Sequence, residues 1–139
     1  MWLKNMGANP QLLIVDDDVE FLEILERRFS RRGFNVTARA TYPDALEAAG
    51  RQSFDAAIVD RSVPGGADLE LVGRLNSING NLPIIVLSGW NGPAFVAEAL
   101  AAGACEYLTK PCALGEIETA VRRILGLRDT QLAGGETAR

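Results

Sequence analysis

The stretch that most constrains the fold is Asp55-Ala56-Ala57-Ile58-Val59-Asp60. Four apolar residues run unbroken into an acid, and the turn-forming Val63-Pro64-Gly65-Gly66 follows shortly after. Such a run reads as a short strand with apolar residues on both faces, which places it inside a sheet covered on both sides. An acid at its C-terminal tip lies where open α/β sheets bind their ligands. Asp60 is therefore the first candidate for a site residue.

The rest of the chain alternates between strand and helix signals. Residues 11–15 form an apolar run that ends at Asp16-Asp17-Asp18. From Val19 to Arg32 the apolar residues Phe21, Leu22, Leu25 and Phe29 share one helical face. Asp17 or Asp18 can cap this helix, and Gly33 stops it. Arg27, Arg28, Arg31 and Arg32 suit its negative C-terminal end and solvent.

Residues 34–40 alternate with period two and read as a half-buried edge strand. Residues 42–51 form a short helix with Thr41 as cap and Pro43 in its first turn. After the 55–60 strand, 67–77 is helical, with Leu69, Leu71, Val72 and Leu75 apolar, and Asn79-Gly80-Asn81 breaks it. Residues 83–87 are wholly apolar and lead to Ser88. Residues 92–102 form an alanine-rich helix with Pro93 near its start and Gly103 as its stop. Residues 105–108 are a last strand, left by Thr109-Lys110-Pro111. Residues 113–125 close the chain, with Leu114, Ile117, Val121, Ile124 and Leu125 inward. The reading is an N-terminal arm over 1–10, with Trp2 and Leu3 unplaced, one domain over 11–126, and a tail or linker start over 127–139.

Five strands alternating with five helices through short connections imply a parallel sheet with helices on both faces. Right-handed crossovers leave few arrangements. The expected fold is α/β, a doubly wound five-stranded parallel sheet of order 2-1-3-4-5, the flavodoxin-like arrangement, with its switch point between strands 1 and 3.

Composition removes several classes of function. The chain has no histidine, so a histidine nucleophile, base, zinc ligand or phosphohistidine carrier is excluded. Its net charge of −4 and the absence of a basic run disfavour direct nucleic-acid binding. Cys105 and Cys112 are too few for a disulfide framework and suit a reducing compartment. No signal-peptide pattern opens the chain, and no stretch approaches the roughly 20 apolar residues of a membrane span. A cytoplasmic location is expected.

In the expected order, strands 1 and 3 are neighbours, so Asp16, Asp17 and Asp60 meet at the switch point. Ser88 ends the next strand, and Lys110 follows the one after. Each has an ordinary explanation alone: a helix cap for the aspartates, a turn position for Asp60, a turn hydroxyl for Ser88, a solvated charge for Lys110. Their joint placement at strand tips favours a shared site. Three acids in one pocket either hold protons or neutralise a cation. An oxygen-only donor set with an open position suits Mg²⁺. Mg²⁺, Lys110 and Ser88 could then hold the oxygens of a phosphoryl group on Asp60, a nucleophile that is already ionised and needs no base.

Leu12-Leu13-Ile14-Val15-Asp16-Asp17, Ile58-Val59-Asp60 with Pro64, Ile84-Ile85-Val86-Leu87-Ser88-Gly89 and Gly103-Ala104-Cys105-Glu106-Tyr107-Leu108-Thr109-Lys110-Pro111 occur in that order. In this the chain resembles the receiver domains of two-component response regulators, over roughly residues 11–126. The resemblance implies a phosphoprotein signalling domain rather than an enzyme, one that assists its own phosphorylation and dephosphorylation. Asp60 would be the phosphoacceptor, charged by a sensor histidine kinase or a histidine phosphotransfer protein. Asp16, Asp17, Asp60 and the backbone carbonyl of Ser62 would hold Mg²⁺. Lys110 would pair with the phosphoryl oxygens, ahead of a cis peptide to Pro111. Ser88 would move toward the phosphate and Tyr107 would swing inward. The signal would emerge at the face made by the 92–102 helix, the 105–108 strand and the 113–125 helix, also the place for a homodimer. Phe95, Val96, Leu100 and Ala101 would supply its apolar part.

Three residues depart from the family pattern: Arg61 follows the phosphoacceptor, Asp68 stands where a glycine is usual, and the bulky Trp90 borders the site. Trp90 is expected to shield the acyl phosphate from water. Two alternatives stand beside this reading. One is an interaction module of the same fold that is never phosphorylated. The other is a haloacid dehalogenase-type phosphatase, which the lack of a Thr after Asp18 and of room for a cap domain disfavours. The output is either protein contact by a single-domain regulator or transcription control by a longer protein.

Overall fold

The computed structural model describes residues 9–61, 68–90 and 92–126. The elements are β1 (Gln11–Val15), α1 (Val19–Arg31), β2 (Asn35–Arg39), α2 (Tyr42–Arg51), β3 (Ala56–Asp60), α3 (Asp68–Asn79), β4 (Ile84–Ser88), α4 (Pro93–Ala102), β5 (Glu106–Thr109) and α5 (Leu114–Ile124). All strand pairs are parallel, in the order β2-β1-β3-β4-β5. The expected topology is the one found. The arm, the Val63–Gly66 turn, Ser62 and the 127–139 tail lie outside the described residues.

The central strands explain why helices cover both faces. Successive side chains of a strand point to opposite sides. Leu12, Ile14, Ala56, Ile58, Ile85 and Leu87 enter one core with Leu22, Leu25 and Phe29 of α1 and Ile117, Ala120 and Val121 of α5. Leu13, Val15, Ala57, Val59, Ile84 and Val86 enter the other, with residues of α2, α3 and α4. β1, β3 and β4 have no polar face to give to solvent, so neither side of the sheet can be left bare. Phe29 meets Phe34 edge to face at 5.3 Å and closes the first core beneath β2.

Local signals set the element ends. Asp18 caps α1 by accepting from the Phe21 N–H. Thr41 does the same for α2 through the Asp44 N–H, with Pro43 in the first turn. Gly103 ends α4 at φ 122°, where a Cβ would also lie 2.3 Å from Asn76 Nδ2. α3 runs two residues beyond the expected end at Ser77, to Asn79, whose side chain donates to the Phe54 carbonyl.

α4 differs from the other helices. Ala99 is its only buried residue, Phe95 and Val96 are half-buried, and Ala94, Ala97, Leu100 and Ala101 are exposed. The helix with the most apolar sequence is therefore the least embedded one.

Candidate functional site

The ladders continue one residue past several strand ends. Asp16 N–H donates to the Arg39 carbonyl, Arg61 N–H to Leu87, and Lys110 N–H to Ser88. The two-residue period of the strands therefore still governs the tips. Asp16 and Asp60 share the phase of Ile14 and Ile58, on the α1/α5 side. Arg61 and Ser88 share the phase of Val59 and Val86, on the α4 side.

On the α1/α5 side the charges gather. Lys110 Nζ is 2.8 Å from Asp60 Oδ1 and 3.4 Å from Asp16 Oδ2. The side chains of Asp16 and Asp60 are each 2% exposed. Asp17 is exposed, yet carboxylate oxygens of Asp16, Asp17 and Asp60 all lie within 4.8 Å of one another. Asp16 Oδ1 also accepts the Asp18 N–H at 2.9 Å. The ring of Phe21 lies 5.5 Å from Lys110 Nζ, near enough for a cation–π contact. A cleft of about 410 Å³ lined by Asp18, Phe21, Lys110, Pro111 and Cys112 opens beside this group. The Lys110–Pro111 peptide is cis.

Burial is the chief cause that pushes the Asp16 carboxyl from 3.8 to about 6. The charge of Asp60 adds to the rise, while the Asp18 N–H and Lys110 oppose it. The Lys110 ammonium is held above its ordinary value: burial lowers it, but Asp60 and Asp16 together outweigh that. One ammonium does not balance three carboxylates. Among the described residues the site is rich in hard oxygen donors and poor in positive charge, which fits a divalent cation. Asp16, Asp17 and Asp60 are the described residues able to hold one.

On the α4 side, Ser88 is buried, and its Oγ accepts the Trp90 N–H at 3.0 Å. Tyr107, half-buried against the α4-side core, donates its hydroxyl to the Trp90 carbonyl at 2.6 Å. The backbone of Trp90 thus joins Ser88 to Tyr107. The Trp90 indole is exposed and packs on Phe95 at 5.6 Å. It also helps line a cavity of about 100 Å³ with Arg61, Ser88 and Gly89.

The structure thus brings Asp16, Asp17, Asp60 and Lys110 together, and joins Ser88 to Tyr107 across the sheet edge. Two features escaped the sequence reading. Phe21 was assigned to the helix face and also lies against Lys110. Glu118 was not singled out; it is buried and bound by Arg28, Arg32 and Arg122. Arg28 and Arg32 are therefore not merely dipole-matched, solvated charges, as their position at the end of α1 had suggested. They tie α1 to α5 through a carboxylate 90 and 86 residues away in sequence.

Residues 12–122 match the family described as the response regulator receiver domain. The chain is 34% identical over 117 residues to the transcriptional activator protein PfeR of Pseudomonas aeruginosa, an overlap of 84% of this chain and 38% of that protein. It superposes on a Burkholderia pseudomallei response regulator, crystallised with a phosphorylated aspartic acid, a calcium ion and citrate, with a TM-score of 0.76. Identity is 28%, over 91% of this chain and 70% of that one. Vibrio cholerae chemotaxis protein CheY4 gives a TM-score of 0.80 at 27% identity, over 85% of this chain and all of that one. The chain belongs to the response regulator receiver domain family of two-component signal transduction.

Proposed function

We propose that Asp60 is the phosphoacceptor of this domain, charged by a phosphohistidine on a sensor histidine kinase or a histidine phosphotransfer protein. The observation that carries the reading is the buried Asp60 carboxylate, hydrogen-bonded to Lys110 and clustered with Asp16 and Asp17. An Asp60 oxygen bonds to phosphorus as the donor's N–P bond breaks, and the departing imidazole takes up a proton. Lys110 stands where it can hold the added negative charge on the phosphoryl oxygens. Mg²⁺, bound by Asp16, Asp17 and Asp60 with the Ser62 carbonyl, would supply the remaining positive charge.

The consequence is delivered on the other side of the sheet. Ser88 and Tyr107 both contact the backbone of Trp90, which precedes α4. A hydroxyl drawn toward a phosphoryl group would release the Trp90 N–H and disturb the loop that Tyr107 holds. The α4–β5–α5 face, with its exposed α4 residues, is the proposed partner or homodimer surface. The domain occupies residues 11–126, acts in the cytoplasm, and assists its own phosphorylation and dephosphorylation without being a classical enzyme. PfeR, a transcriptional activator, is much longer than this chain. Transcription control through a further domain is therefore the favoured output.

The test is incubation with acetyl phosphate and Mg²⁺. A single slowly hydrolysed acyl phosphate supports the receiver reading. Rapid turnover would point to a phosphatase, and no modification to an interaction module.

A further inference from the structure

Arg61 leaves the same strand tip as Asp60, but on the opposite side of the sheet. Its side chain is 7% exposed. A guanidinium cannot shed its charge, so burial is tolerable only where fixed partners surround it. Among the described residues, the side-chain partners are on α4 and the turn before it. Arg61 Nη1 donates to the Phe95 carbonyl at 3.1 Å, and Nη2 to Glu98 Oε1 at 2.7 Å. The guanidinium lies 5.6 Å from the Trp90 ring and 5.4 Å from the Phe95 ring. Its backbone N–H is bonded to the Leu87 carbonyl, next to Ser88.

α4 has little else to hold it. Ala99 is its only buried side chain, and Gly92 before it offers no side-chain cap. An element with so few buried contacts opens more easily than its neighbours. Arg61 thus supplies polar anchors that the apolar packing of α4 does not. The ion pair also ends at the surface, because Glu98 is 57% exposed and lies on the helix that presents Ala97, Leu100 and Ala101 to solvent.

We propose that Arg61 is the positioning residue that transmits occupancy of Asp60 to α4, through its bonds to Phe95 and Glu98 and in parallel with the Ser88–Trp90–Tyr107 contacts. The proposal rests on Asp60 being the phosphoacceptor. Asp60 and Arg61 are consecutive, so a backbone adjustment at the phosphorylated residue acts directly on the root of the Arg61 side chain. The fork of the guanidinium carries it to two points one helical turn apart on α4. Packed elements respond to such inputs by changing between discrete arrangements, which makes one rigid bidentate group an effective connector.

The experiment uses the full chain with Trp2→Phe, which leaves Trp90 as the one indole. Beryllium fluoride with Mg²⁺ serves as the phosphoryl mimic. Fluorine NMR reports its binding; Trp90 emission and amide exchange across α4 report the response. Arg61→Lys keeps the charge and loses the fork. Glu98→Gln removes the surface end of the pair from an exposed position that the fold does not need. Both variants should bind beryllium fluoride and lose most of the bound-minus-free difference in α4 exchange and Trp90 emission. If both keep the parent's full difference, even at lowered overall stability, Arg61 is merely structural and the proposal is overturned. If the parent itself fails to bind the mimic, the reading of Asp60 falls first and takes this proposal with it.

Discussion

Lys110 donates a 2.8 Å hydrogen bond to Asp60 across 50 residues of sequence, joining the tips of β3 and β5 over the intervening β4. It also approaches Asp16, so a single ammonium offsets two buried carboxylates. Because both acids raise its pKa, this stabilisation is fully present below the ordinary value of 10.5 and is lost as pH rises through the folded value. Lys110→Ala should therefore destabilise the metal-free protein at neutral pH. Breaking a buried pair costs about 3–5 kcal/mol; with Lys110 28% exposed, about 2 kcal/mol is expected. Urea unfolding of the two proteins without divalent cations checks this, and equal midpoints would refute the pairing.

The raised Asp16 carboxyl predicts an unusual pH dependence. Its folded value of about 6 lies above its ordinary 3.8, so the cost of keeping it ionised is full above pH 6. That cost shrinks as pH falls from about 6 toward 3.8, and it amounts to on the order of 3 kcal/mol. The metal-free protein should accordingly gain stability between pH 7 and 5, and Asp16→Asn should flatten the gain. Millimolar Mg²⁺ at pH 7 should raise the unfolding midpoint by mass action, and less so in Asp16→Asn. Thermal unfolding with and without chelator measures all of these.

Glu118 should act with the opposite sign. Burial raises its pKa, but the hydrogen bond from Arg28 and the charges of Arg32 and Arg122 outweigh burial and leave it below 4.5. Its stabilisation is present above pH 4.5 and is lost as pH falls through the folded value. Glu118→Gln should cost about 2 kcal/mol, less than a fully buried pair, because Arg28 and Arg32 still reach water. It should also remove the part of the acid-side loss that Glu118 contributes, leaving the part due to Glu106, which Arg123 holds below its ordinary value. Urea midpoints between pH 3 and 7 separate Glu118 from Asp16.

Trp90→Ala should speed loss of the phosphoryl group from Asp60. The indole lines the small cavity beside Ser88, and removing it opens a path for water. An acceleration on the order of 3- to 10-fold corresponds to roughly 1 kcal/mol of barrier. Dephosphorylation of purified acyl-phosphoprotein measures it, and an unchanged rate would show that the ring does not shield the site.

The sheet order was legible because β1, β3 and β4 have no polar face, which leaves a doubly wound sheet as the natural solution. The meeting of Asp16, Asp17, Asp60 and Lys110 followed from strand order alone. What sequence could not show was direction: that Asp60 and Arg61, adjacent in the chain, serve opposite faces of the sheet. Strand phase carries that information, but only once the ladder is known to continue past Asp60. Glu118 was hidden for a different reason. A glutamate at its place in an amphipathic helix looks solvated until α1 brings Arg28 and Arg32 over it. The shallow seating of α4 was readable only through the family resemblance, which put Leu100 and Ala101 on an open face; by composition alone an alanine-rich apolar helix looks like core.

The most direct measurement is mass spectrometry of the protein and of Asp60→Asn after incubation with acetyl phosphate and Mg²⁺, with the modified residue located by reductive trapping. One acid-labile phosphoryl group on Asp60, dependent on Mg²⁺ and absent from Asp60→Asn, is the expected result. Stoichiometric labelling that persists in Asp60→Asn, or no labelling of the parent protein, would contradict it.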